Sequence, residues 1–249
     1  MIKYEIKDEI GILTLNRPEK RNALHPELVK QMKDKLREIE KEDSVKVLII
    51  TGAGKAFCAG ADLEYLNQLK GYSSIENETD SRDLAELFLI IYTFPKPVIA
   101  AVNGAAIAGG CGLASVCDII VADEVNAKFG YSEVKIGFIP AMVSTFLIKR
   151  IGEGMAKQLL LSGEIIYAKR LFEVGFVNYL NNNALSSALE VASKLKLNSS
   201  SSMKMTKEMI NKVSNLSFTD AVEYCIGLNT VSRTTEDFKE GLNNFLSKK

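Results

Sequence analysis

The chain has no tryptophan, a single histidine and five prolines in 249 residues, and its four cysteines include no C-x-x-C pair. One histidine, His25, argues against a histidine-rich metal site. The spacing of Cys58, Cys111, Cys117 and Cys225 argues against both a zinc motif and a disulfide framework. Three of these cysteines sit in apolar or small-residue stretches, where a free thiol behaves as a small hydrophobe. A reduced, cytoplasmic protein is therefore expected. Neither sign of charge is in excess, with 31 basic against 31 acidic residues, so no footprint for nucleic acid or for a membrane surface is present. No apolar run approaches the roughly 18 residues of a membrane span. The N-terminal MIKYEIKDEIGILTL alternates like a strand and lacks the features of a cleaved leader. Neither G-x-G-x-x-G nor G-x-x-x-x-G-K-[ST] occurs, which removes the usual phosphate-cradling loops.

What is present is enough apolar residue, 47% of the chain, to bury one large core. Ile2 to Ile6 and Ile10 to Leu15 read as strands of a hairpin about Lys7-Asp8-Glu9. Pro26 opens a helix to about Glu40, with Leu28, Met32, Leu36 and Ile39 at helical spacing. His25 belongs at the start of that helix. Strands follow at Val45 to Thr51, Val98 to Asn103 and Ile119 to Ala122, a recurrence of strand, turn and helix that suggests right-handed crossover units. Gly71 to Asp83 has the composition of a loop and gives way to a helix over Leu84 to Tyr92. From Ala141 the pattern is predominantly helical, through Ala184 to Leu197, Met203 to Val213 and Phe218 to Val231, and the serine run Ser199 to Ser202 reads as a linker or helix boundary.

Two small-residue turns carry the chemistry. Val45 to Thr51 leads through Gly52-Ala53-Gly54 into KAFCAGADL, and Val98 to Asn103 leads through Gly104 into AAIAGGCGLA. Small side chains after a strand let backbone approach a ligand, and a following helix start leaves N–H donors unpaired. Two such turns can aim two N–H groups at one carbonyl oxygen. Close packing alone also explains small residues at these junctions. Cys58 and Cys111 lie in the same turns, and a nucleophilic role for either would have only His25 as a base.

In order along the chain, LNRPEKRNAL (Leu15 to Leu24), KAFCAGADL (Lys55 to Leu63), NGAAIAGG (Asn103 to Gly110), CDIIVAD (Cys117 to Asp123), FGYSEVKIGFIP (Phe129 to Pro140) and TEDFKEGLNNFL (Thr235 to Leu246) resemble the crotonase, or enoyl-CoA hydratase/isomerase, superfamily. The resemblance covers nearly the whole chain. It implies an α/β fold, a spiral of repeated ββα units (residues 1–195) with a C-terminal helical region (residues 196–249) that packs on the core and on neighbouring subunits, as a homotrimer or a dimer of trimers. It also implies an oxyanion hole built from the backbone N–H groups of Ala61 and Gly109, with Lys55, Ala56, Ala59, Asp62, Leu63 and Glu64 along the coenzyme A and acyl binding surface. Asp62 fits a turn-capping role better than a catalytic one. No metal or prosthetic group is implied, since coenzyme A arrives with the substrate.

Relatives that hydrate simple enoyl-CoA carry two glutamates. Here one position is Glu133, in YSEVKIG, and the other is Gly112, in GGCGL. A carboxylate pair divides acid and base duties about one water, so a chain with only Glu133 has a different task. Outside the resemblance, Glu133 reads as a surface glutamate on a strand edge. Within it, Glu133 moves the proton and Gly112 makes room for a substrate branch or carboxylate. Hydration of a branched or carboxylated, methylglutaconyl-like enoyl-CoA is expected first. Double-bond isomerisation, decarboxylation of a glutaconyl thioester, and a catalytically silent scaffold are the alternatives.

Overall fold

The computed structural model of the chain describes residues 1–247. Strands β1 (Ile2–Lys7) and β2 (Ile10–Leu15) form the expected antiparallel hairpin, with Lys7 opposite Ile10. Helix α1 (Pro26–Glu40) begins at His25, whose Nδ1 accepts the Glu27 N–H at 3.2 Å. Proline at its first position needs no hydrogen-bond acceptor there, and Leu28, Val29, Met32, Leu36 and Ile39 form its buried stripe. Each such side chain contributes about 1.5–3 kcal/mol by leaving water.

Three strand-strand-helix units follow. The first is β3 (Val47–Gly52), β4 (Ala56–Cys58) and α2 (Leu63–Leu69), extended by α3 (Ser74–Tyr92). The second comprises β5 (Val98–Val102), β6 (Ala105–Ile107) and α4 (Gly109–Ser115), and the third β7 (Ile119–Asp123), β8 (Lys128–Gly130) and α5 (Ala141–Ser162). The chain continues through β9 (Ile165–Tyr167), α6 (Ala168–Glu173), β10 (Tyr179–Asn181) and α7 (Ala184–Leu195), then α8 (Ser200–Val213), α9 (Phe218–Ser232) and α10 (Glu236–Leu246). The first strand of each unit enters a six-stranded sheet of order β1-β2-β3-β5-β7-β10, and the second enters a four-stranded sheet of order β4-β6-β8-β9. This is the repeated ββα spiral that the resemblance implies.

Alternation along the parallel strands divides the core. Ile10, Ile12, Val47, Ile49, Ile99, Ala101 and Val121 face α7, whose Ala184, Ala188 and Ala192 let it lie close to the sheet. Leu48, Ile50, Ala100, Val102 and Ile120 face the opposite side and join the main core with α1, α3, α4 and α5. Covered on both faces, these strands read as continuous apolar runs.

Of the stretch Gly71 to Asp83, only residues 71–73 are non-helical, and 74–83 are helix, not loop. Helix α3 starts at Ser74, because Ser73 and Glu76 form a reciprocal capping box and the Tyr65 hydroxyl, from α2, is hydrogen-bonded to Asp80. Its first turns are polar because they face solvent, whereas Leu87, Phe88 and Ile91 are buried. The serine run is the helix boundary expected: Ser199 caps α8, and Ser199 and Ser201 both donate to Asp237 of α10. Residues 248–249 of the expected C-terminal region lie outside the described residues. No described helix is long and apolar enough to cross a membrane.

Candidate active site

Strands β4, β6 and β8 are parallel neighbours, with Ala56 and Cys58 opposite Ala105 and Ala106, and Ile107 opposite Gly130. The segments that follow them, residues 59–62, 108–112 and 131–133, therefore leave one end of one sheet. Carboxyl ends of parallel strands are where α/β folds gather ligand-binding groups.

The first segment is held by the loop Arg17–Leu24. Leu24 N–H donates to Gly60 O at 2.7 Å and Asp62 N–H to Leu24 O at 2.8 Å, so Leu24 brackets Ala61. In a parallel bridge the bracketed residue turns its own N–H to the other edge, and the Ala61 N–H has no acceptor among the described residues. Gly60 has φ +88°, a conformation that L side chains rarely adopt. Asp62 caps α2, its Oδ1 accepting the Glu64 N–H at 3.0 Å, while its Oδ2 accepts from Arg17 Nη2 at 2.9 Å. Arg17 Nη1 also donates to Ala23 O at 2.8 Å. Burial alone pushes the Asp62 carboxyl up, but the Arg17 hydrogen bond, the backbone N–H donors and the guanidinium charge outweigh it and hold the carboxyl below its ordinary value. Asn22, in the left-handed region at φ 56°, donates through Nδ2 to Ala53 O and Ala56 O and accepts the Arg17 N–H.

The second segment is held by absent side chains. A Cβ on Gly110 would lie 2.0 Å from Cys58 O, so the backbone of α4 rests directly on β4. Ala108 takes φ 51° and ψ −123°, a strained conformation for an alanine, with its N–H donated to Gly130 O at 2.7 Å. The Gly109 N–H, next in the chain, has no acceptor among the described residues. These two N–H groups, of Ala61 and Gly109, lie at adjoining turns.

Glu133 sits in a short 3-10 turn, Ser132–Ile136, and is only 7% exposed; it is not a surface residue on a strand edge. Its Oε2 has no hydrogen-bond partner among the described residues, and burial raises its pKa from the ordinary carboxyl value. A buried acceptor without a partner costs folding free energy, about 1–3 kcal/mol and more for a charged group. Functional sites are where such a cost is kept. The Tyr131 hydroxyl is the other buried side-chain oxygen without a partner among the described residues. Cys58 and Cys111 are fully buried, and burial pushes both thiols up to about 12, which leaves no thiolate for nucleophilic chemistry.

The other residues of the expected binding surface lie in different surroundings. Ala56 is buried within β4, and Lys55 is exposed at the strand's opposite end from Ala59 and Ala61. Glu64 is exposed and paired with Lys20 at 2.6 Å, and Leu63 is 80% exposed. The room expected beside Gly112 is not open: a Cβ there would meet Val143 Cγ1 at 2.2 Å and Phe88 Cε2 at 3.3 Å. Valine from the first turn of α5 fills that space. Arg17 and Leu24 lie within LNRPEKRNAL but nothing there marks their roles, and Val143 lies outside every quoted motif. No group of three or more His, Cys, Asp or Glu is placed to hold a metal among the described residues.

Comparison with known proteins agrees with this architecture. The enoyl-CoA hydratase/isomerase family model matches residues 5–249. A Thermus thermophilus protein provisionally named as an enoyl-CoA hydratase is 39% identical, covering 100% of this chain and 98% of that one. The 2,3-dehydroadipyl-CoA hydratase of Escherichia coli is 35% identical over 98% of this chain and 94% of its own length. Among solved structures, an enoyl-CoA hydratase from Polaromonas superposes with a TM-score of 0.94 at 33% identity, covering 100% of this chain and 97% of that one. The chain belongs to the enoyl-CoA hydratase/isomerase family.

Proposed function

We propose that the protein hydrates an enoyl-CoA thioester, with the Ala61 and Gly109 N–H groups receiving the thioester oxygen and Glu133 transferring the proton. The observation that carries this reading is the buried Glu133 carboxylate, whose Oε2 has no partner among the described residues, at the same sheet end as two backbone donors without acceptors. Polarising the carbonyl stabilises the enolate formed when water adds at the β-carbon, and each such donor is worth about 3 kcal/mol in related chemistry. Glu133 then serves the water and the α-carbon in turn.

The preferred acyl group is branched or carboxylated, methylglutaconyl-like, rather than crotonyl. Gly112 supplies no second carboxylate to orient water on a simple chain. Val143 and Phe88 take up the space beside Gly112, so the preference rests on the missing second carboxylate and not on open room there. Relatives include hydratases named for both kinds of substrate, 2,3-dehydroadipyl-CoA and crotonyl-CoA. Double-bond isomerisation is the second reading, favoured by the same single carboxylate, because one base suffices to shuttle a proton between carbons. No cofactor beyond the substrate's coenzyme A enters this scheme.

Assembly as a homotrimer or a dimer of trimers, in the cytoplasm, completes the proposal, with residues 196–249 at the subunit contact. Phe218, Val222 and Ile226 line an open apolar groove of about 550 Å³ beside α9, and Phe218 is 87% exposed. The deciding experiment compares kcat/KM for methylglutaconyl-CoA and crotonyl-CoA hydration. Preference for the branched, carboxylated substrate is expected. Preference for crotonyl-CoA overturns the assignment of substrate, and double-bond movement without hydration overturns the assignment of reaction.

A further inference from the structure

Leu24 touches both turns, alongside the direct packing of Gly60 on Ile107 and Ala108. Its backbone N–H and C=O bond Gly60 O and Asp62 N–H, the two neighbours of Ala61. Its side chain reaches the other turn, where Cδ1 lies 3.0 Å from the Cβ position that Gly109 leaves empty. Leu24 is 4% exposed, and Arg17 braces the same bracket by bonding Ala23 O on one side and Asp62 on the other. A rigid spacer between two donors fixes the angle at which their N–H groups converge. Misplacement by about 1 Å at such a site can cost 100-fold in rate.

We propose that Leu24 is a positioning residue that sets the separation of the Ala61 and Gly109 donors, with Arg17 holding it in place. The inference rests on the oxyanion-hole reading above but not on which reaction follows, since any thioester chemistry at this site passes through the same carbonyl. A purely structural leucine would support overall stability while leaving the polarisation of a bound carbonyl unchanged in whatever protein still folds. A spacer makes the polarisation itself depend on the side chain.

The test is vibrational difference spectroscopy of cinnamoyl-CoA, labelled with ¹³C at the thioester carbonyl, bound to the full-length protein. Wild type is expected to lower the carbonyl stretch relative to free ligand. Leu24→Ala should lose at least about half of that shift and lower kcat at least about 10-fold, with ligand affinity within about 3-fold. Leu24→Met, which conserves volume, should retain the shift. Arg17→Met should reduce it in the same direction, and it decides the question alone if Leu24→Ala does not fold. A wild-type shift preserved in folded Leu24→Ala, or in Arg17→Met where that variant decides, overturns the role of Leu24 and leaves the oxyanion hole standing. No shift in wild type overturns the oxyanion hole itself and the role of Leu24 with it.

Discussion

The two turns of the candidate site present the same group, one backbone N–H without an acceptor, yet they are held by opposite means. At Ala61 the surroundings are polar: Arg17, Asn22 and Asp62 spend their side chains on backbone carbonyls, backbone N–H groups and one another. At Gly109 no charged or amide side chain holds the turn among the described residues, and its hydrogen bonds are backbone ones such as Ala108 N–H to Gly130 O. Gly110 lies on the Cys58 carbonyl, Gly112 abuts Val143, and Ala108 carries the strain of the bend. A polar clamp loosens when a charge is lost, whereas a close-packed turn fails when an atom is added. The turns should therefore break under different substitutions.

The largest effect is expected from one methyl group at the packed turn. Gly110→Ala places a Cβ 2.0 Å from a backbone oxygen that cannot move without shifting β4. Overpacking of this kind costs about 3 kcal/mol, and displaced donors should lower turnover at least about 100-fold. Gly109→Ala, which presses on one side-chain atom, Leu24 Cδ1 at 3.0 Å, and not on backbone, should cost less stability and displace the donors less than Gly110→Ala. Equal damage from the two, measured by denaturant unfolding and kcat, would remove the distinction between packed and open positions in this turn.

The polar clamp should respond to charge and to acid. Asp62→Asn leaves the Arg17 guanidinium, 12% exposed, facing a neutral amide, and should destabilise by about 2 kcal/mol at pH 7. The Asp62 carboxyl is held below its unfolded value, so its contribution is present above about pH 4 and is lost as pH falls through the folded value. Wild type should therefore lose stability more steeply than Asp62→Asn below about pH 4. Parallel acid unfolding curves for the two proteins would show that the pair holds nothing.

The smallest effect is expected at Ala108. Glycine removes the penalty of φ 51° at the cost of a more mobile unfolded chain, so Ala108→Gly should change stability by no more than about 1 kcal/mol. Activity should stay within about 3-fold if the turn is set by Gly110 and Gly112 on its far side. A large loss of kcat would instead make the Ala108 methyl part of the site.

The regular elements were legible in the sequence because local pattern and packing agree there. Helix α1 runs over Pro26–Glu40 as its proline start and apolar spacing predict, and β2 matches residue for residue. Helix α3 was misread over residues 74–83 because a solvent-facing helix has the composition of a loop, and only the Ser73-x-x-Glu76 cap distinguishes the two. Contacts between distant segments left no local trace. Val143 fills the space at Gly112 from 31 positions along the chain, and Arg17 reaches Asp62 across 45. The burial of Glu133 was likewise invisible, since a glutamate in a polar-flanked YSEVK segment reads as exposed until the tertiary fold buries it.

Glu133 is the residue on which the proposed chemistry turns. Burial raises its pKa, so its ionised form disfavours the folded chain: the stability tied to its protonated form is complete below the unfolded value near pH 4.3 and is lost as pH rises through the folded value. Glu133→Gln should consequently raise the melting temperature at pH 7 while removing the base. The most direct measurement is the rate at which the protein exchanges the α-proton of a bound acyl-CoA with deuterated water, in wild type and in Glu133→Gln. The account predicts measurable exchange in wild type, with an acid limb above that of an ordinary glutamate, and a fall of at least about 100-fold in a variant that is folded and no less stable. Near-normal exchange in folded Glu133→Gln would contradict it.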